Sequence, residues 1–252
     1  MTTADRWTQT VRQQLGLGRL LPLGDARDGA WIAEKASAAV LRSAAKDMRG
    51  VRLEALRIAL TDPAQAQEAA VPQPPGALPP GPLRITADFA TTATQPLPET
   101  AQRLRALLAA TAVDRLGLTV TEVDLRVTAL LDEDPGPGAV SPPEPETAAE
   151  SADAEAASVA RADVDADEER IAAVASAVPG VVRLTGLPGG LGRSVHIEER
   201  RGEAALPRRH VRVEFAVRAD HRAVEVAREV RERVGAASPD HPTVAVLITS
   251  VG

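Results

Sequence analysis

The sequence contains no cysteine and no tyrosine, and only two phenylalanines and two tryptophans. The missing thiols exclude disulfides, thiolate metal sites and thiol nucleophiles together. Aromatics are 2% of the chain and apolar residues 44%, so the core must be assembled from Ala, Val, Leu and Ile. Lysine is scarce as well, since 27 of the 29 basic residues are arginine. With abundant alanine, that bias reads as a GC-rich bacterial genome and not as a function. No apolar run approaches the ~20 residues that span a bilayer. The opening MTTADRWTQT lacks a charged-then-apolar targeting pattern. A cytoplasmic, soluble chain is expected, with no direct membrane insertion.

What is present is unevenly placed. Of the net charge of −6, residues 132–169 carry 13 acids and one arginine, while 170–252 is net +4. Two segments read as unstructured. Residues 63–82 hold seven prolines and 132–167 another five. Proline blocks helix and ladder alike, and the acidic run has little apolar surface to bury. The first is expected as an insertion inside a domain, the second as a disordered linker. The domains predicted are therefore 1–131, including an N-terminal helix on Trp7, Val11 and Leu15, and 168–252.

The two domains repeat one another. ITADFATTATQPLPETAQRLRALL (85–108) aligns without a gap over VRVEFAVRADHRAVEVAREVRERV (211–234). Phe89 meets Phe215, Ala101 meets Ala227, Leu104 meets Val230 and Leu108 meets Val234. VDLRVTAL (123–130) matches VAVLITSV (244–251), and Gly50 falls over Gly180. In the second copy, Ile171, Val174, Ala175 and Val178 recur at helical spacing until Pro179–Gly180 stops them. Val181–Leu184 and Val195–Glu199 read as strands around a glycine-rich turn. Val211, Val213, Phe215 and Val217 alternate with polar residues, as in a half-buried strand. Asp220 is the expected N-cap of a helix bearing Val224, Ala227, Val230 and Val234 on one face. GRLLPLGDARDGAWIAE reads as a hairpin feeding a helix at Glu34. The fold class expected is α+β: two repeated small domains, each a sheet of three or four antiparallel or mixed strands with two helices packed on one face.

This pattern resembles the alkaline shock protein family of bacterial envelope-stress proteins. The residues that carry the likeness are Gly180–Val181, GRSVHIEE (192–199), VRVEFAV (211–217), VAREVRERV (226–234) and TVAVLITSV (243–251). WIAEKASAAVLRSAAKDMRGV (31–51) is similar to the family's opening. The chain as a whole is similar to high-GC bacterial proteins that carry a nucleopolyhedrovirus-derived family label. The resemblance implies a non-enzymatic cytoplasmic protein that works by protein–protein contact near the membrane. It brings no catalytic residues. The chain departs from the family in its two copies, its proline insertion, its acidic linker, and RADHR where a glycine is common after the long strand.

Motifs for chemistry are weak. GLPGGLGRS (186–194) has five residues between Gly186 and Gly192, where a P-loop has four. Arg193 stands in place of the lysine, and a strand follows where a phosphate cradle needs a helix. A hairpin turn is expected there. All four histidines, His196, His210, His221 and His241, lie in the second copy without close ligand spacing. The acids alternate with arginines on what read as solvent faces. No catalytic residue, metal or cofactor is expected.

Two features point instead to an interaction surface. Arg200, Arg201, Arg208 and Arg209 cluster around GEAALP; without interleaved aromatics or a nucleic-acid motif they favour a protein or acidic partner over nucleic acid, which stays the alternative. The acidic linker is one such partner, expected to fold back over them. PTVAVLITSVG (242–252) has no charge on either face, so it must be covered on both. Ile248 is thus expected at an interface with copy one, a sister chain, or another protein, including a membrane-anchored one.

Overall fold

The computed structural model describes residues 18–132, 160–186, 193–200, 208–238 and 240–252. The helix expected on Trp7, Val11 and Leu15 lies outside them. β1 (Leu20–Leu23) and β2 (Ala30–Ala33) form the expected hairpin, and α1 (Glu34–Lys46) follows directly. Then come β3 (Val51–Leu60), β4 (Leu83–Thr92), α2 (Leu97–Thr111) running into a π-helical turn at Ala112–Leu116, and β5 (Val120–Leu131). The second unit has α3 (Ala160–Ser176), β6 (Val181–Leu184), β7 (Val195–Arg200), β8 (Arg208–Val217), α4 (Ala223–Ala237) and β9 (Thr243–Val251). The class is α+β with mixed sheets.

Both units share a strand plan. β3 runs antiparallel to β4, and α2 crosses over to β5, parallel to β4. β6 and β7 run antiparallel to β8, and α4 crosses over to β9, parallel to β8. Phe89 stands opposite Val127 and Phe215 opposite Ile248, and in each sheet the register slips immediately afterwards. The turns that follow α1 and α3 each close on a left-handed glycine just before the next strand, Gly50 (φ +69°) and Gly180 (φ +91°).

The period-two pattern explains the strands. Leu83, Ile85, Ala87 and Phe89 are buried on one face of β4, with Arg84, Thr86 and Asp88 on the other. Val224, Ala227, Val230 and Val234 are buried along α4 as predicted, and Arg233 meets Glu229 at 2.6 Å. The α4 N-cap is Arg222, not Asp220, and it makes no side-chain cap bond. Asp220 is drawn off by Arg218 and His221, at 2.7 and 2.8 Å.

Four expectations change. First, the sheets have six and three strands, not three or four each. The β1–β2 hairpin leaves the first unit and joins the second, where β2 pairs in parallel with β9. α1 then packs against both β3 and β9, and one apolar core runs through both units. Second, β6 and β7 lie end to end along the same edge of β8. Among the described residues they therefore do not pair with each other as the two arms of a hairpin; residues 187–192, where the turn was expected, lie outside the described ones. Third, residues 160–167, assigned to the linker, are the first turns of α3. Fourth, the proline-rich segment is built into the fold. It opens with a 3-10 turn at Pro63–Gln65, and Val71 within it is buried. No helix among the described residues is long and apolar enough to cross a membrane.

Candidate functional site

Alternation divides β8 into two faces. Val211, Val213, Phe215 and Val217 meet the helices, which leaves His210, Arg212 and Glu214 on the other side. β7 adds His196 opposite Arg212 and Glu198 opposite His210. The sequence presents this as a solvent face. The structure covers it with the proline-rich segment. Trp31 Nε1–H donates to the Leu78 carbonyl at 3.2 Å, and the Leu78 N–H donates to the Leu20 carbonyl at 2.8 Å. These bonds hold Gln73, Pro74 and Pro75 over a cavity of about 120 Å³ floored by His196, Glu198, His210 and Arg212. His210 is only 6% exposed, and its Nδ1 lies 2.9 Å from Thr243 Oγ1.

Glu214 sits where the edge strand breaks. Its carbonyl accepts from the Thr185 N–H at 2.9 Å, and its N–H donates to the Ser194 carbonyl at 2.8 Å. The chain departs and returns on either side of this one residue. Its side chain is fully buried. Oε1 accepts from Arg212 Nε at 3.1 Å, while Oε2 has no hydrogen-bond partner among the described residues. Burial pushes the carboxyl up to about 7, against the pull of Arg212. His196 Nε2 is 3.7 Å from Oε1. Burial, reinforced by the positive charge of Arg212, lowers this imidazole to about 4. At neutral pH the imidazole is uncharged, so the contact is no ion pair. The arrangement can store and release a proton near neutrality. Among the described residues, no three His, Asp or Glu side chains are placed to hold a metal ion.

The predicted surface residues go to different places. Arg200 and Arg208 are register partners at the ends of β7 and β8, and Arg201 lies outside the described residues. Arg209 bridges Asp167 at 2.8 Å and Asp240 at 3.4 Å. Asp167 belongs to α3, so one of the two acids that meet this arginine comes from a helix and the other from the turn before β9. Ile248 belongs to no exposed surface. It is fully buried in the common core beside Ile32, and β2 from the first unit occupies the edge of β9. Sequence reasoning missed Glu214, since in an alternating strand a buried acid and a solvent acid look alike. The seven prolines of the covering segment were the available signal.

The first sheet contrasts with the second. The outer face of β3–β4–β5 is open and carries interlocked charges. Arg84 meets Glu122 at 2.5 Å and Asp124 at 3.6 Å, and Arg126 grips Asp88 through two bonds of 2.9 and 2.7 Å. Among the described residues β5 pairs with β4 alone. Val127 and Leu130 stand 39% and 59% exposed on it.

No protein-family model, curated protein or solved structure matches this chain.

Proposed function

We propose that this chain is a non-catalytic interaction protein of the bacterial cytoplasm, built from units of the alkaline shock kind and acting through the first sheet. One contrast carries the reading. In the second sheet β8 and β9 are buried on both faces and β9 is flanked on both sides, whereas the first sheet keeps an open charged face and, among the described residues, an unpaired outer edge on β5. Uncovered strand edges and concentrated surface charge are the features by which folded domains recruit protein partners. The likeness of residues 171–251 to envelope-stress proteins supports a partner near the membrane, reached by contact and without insertion.

Affinity capture by the immobilised full chain, from the soluble and membrane fractions of a bacterial lysate, tests this. A defined protein is expected to bind and to be lost with Arg84→Glu, on the open face, and kept with Glu214→Gln, under the loop. Equal capture by both variants, or turnover by the chain that Glu214→Gln abolishes, overturns the reading.

A further inference from the structure

β5 occupies the position in the first sheet that β9 occupies in the second. Matching Phe89–Val127 to Phe215–Ile248 sets Leu125, Arg126 and Val127 over Val246, Leu247 and Ile248. The latter three pair with β2. The corresponding edge of β5 is open among the described residues.

The charges along that edge select what can pair with it. Between its two register irregularities, β5 runs regularly from Glu122 to Val127. Residues directly opposite in an antiparallel pair project from the same face, and like charges there repel. A symmetric pair of β5 strands must therefore centre on a residue. Centred on Asp124 or Arg126, it sets that charge against itself. Centred on Val123, it sets Glu122 against Asp124. Centred on Leu125, it sets Asp124 of each copy against Arg126 of the other, and Val123 against Val127. Arg126 uses Nε and Nη2 for Asp88, so Nη1 lies outside that pair.

We propose that two copies of this chain associate through antiparallel pairing of β5 about Leu125, joining their first sheets into one six-stranded sheet. This rests on the interaction reading above and names a second copy as one partner. Arg105 Nε donates to the Val123 carbonyl at 3.0 Å. Pairing exchanges that bond for a backbone N–H of the second copy. An edge contact this short belongs with weak, small interfaces, so the expected Kd is about 1–100 μM.

Sedimentation velocity on the full chain across that range tests the pairing. The wild type is expected to move from monomer to dimer. Asp124→Arg and Arg126→Asp each place like charges opposite one another twice, and each is expected to weaken self-association about tenfold or more. Mixing the two variants makes both contacts complementary and is expected to restore the dimer. Circular dichroism establishes that each variant is folded. In this cysteine-free chain, Leu125→Cys should form a disulfide-linked dimer on oxidation, and Thr86→Cys on β4 should not. A wild type that stays monomeric, variants that associate as well as the wild type, or a mixture that fails to recover overturns the proposal. A monomeric chain whose captured partner is still lost with Arg84→Glu would leave the interaction reading standing with a different occupant on β5.

Discussion

Ile32 and Ile248 stand side by side in neighbouring parallel strands, although they come from opposite ends of the chain. Both are fully buried. The pair closes the junction between the units, because β2 supplies the neighbour that the charge-free β9 requires. The first unit thus completes the second sheet and does not merely lean on it.

Ile248→Lys is accordingly expected to unfold the protein. The ammonium would sit at a fully buried position between two strands, at a cost on the order of 4 kcal/mol or more. Urea denaturation should show the midpoint falling sharply. A folded, soluble Ile248→Lys protein of wild-type stability would show that this junction does not form.

A polar contact secures the same junction. Asp28 receives two bonds from Arg228, of 2.7 and 2.8 Å, and its own turn adds the Asp25 N–H at 2.7 Å. Burial pushes the Asp28 carboxyl up, but the bonds from Arg228 and Asp25 outweigh it and hold it below its ordinary value. A depressed folded value means that the stabilisation is complete above the unfolded pKa near 4 and is lost as pH falls through the folded value. Asp28→Ala should cost about 1–3 kcal/mol at neutral pH and less in acid. Thermal melts of both proteins at neutral and acidic pH measure the difference.

Glu214 has the opposite sign. Its folded pKa of about 7 lies above the unfolded value, so the folded state holds the proton more tightly. The fold gains most from this group in acid, loses stability as pH rises from about 4 to 7, and then levels off. Arg212 and His196 are the charged and titratable groups facing it. Glu214→Gln keeps an acceptor for Arg212 and cannot ionise. It should stabilise the fold above pH 7 by roughly 1–3 kcal/mol and change little in mild acid. His196, lowered to about 4, stays uncharged from mild acid upward and adds no titration of its own to the comparison. Equal stabilisation at both pH values would show that Glu214 does not titrate in this range.

Gly117 ends the π-helical turn in the left-handed region, with φ +84°. A Cβ there would lie 2.3 Å from Val224 Cγ1, on α4 of the other unit. Gly117→Ala should destabilise by about 2 kcal/mol through backbone strain together with the clash. Adding Val224→Ala should relieve the clash and leave the strain. A double-mutant cycle with no coupling between positions 117 and 224 would place the two units further apart than described here.

The local elements were legible because each depends on near neighbours in sequence. The alternation Val211–Val217 and the stripe Val224, Ala227, Val230, Val234 state which face is apolar, and burial follows them. The same rules set the hairpin before Glu34 and the stop at Pro179–Gly180. Where two signals competed, tertiary contacts decided. Asp220 has the chemistry of a cap but lies within reach of Arg218 and His221. The glycine segment 186–194 has the chemistry of a hairpin turn, yet β6 and β7 both pair with the same edge of β8.

By itself the sequence determined that β9 must be enclosed, since a strand without charge cannot leave either face in water. It could not say by what. Only the tertiary structure decided that β2 takes the edge of β9 and that the proline-rich segment roofs the far side of β8. Those contacts join residues more than 100 positions apart, such as Ile32 with Ile248 and Pro74 with His210. No local periodicity records them. The same long-range closure turned Glu214 from an apparent solvent acid into a buried, proton-holding one, and left β5 with the open edge.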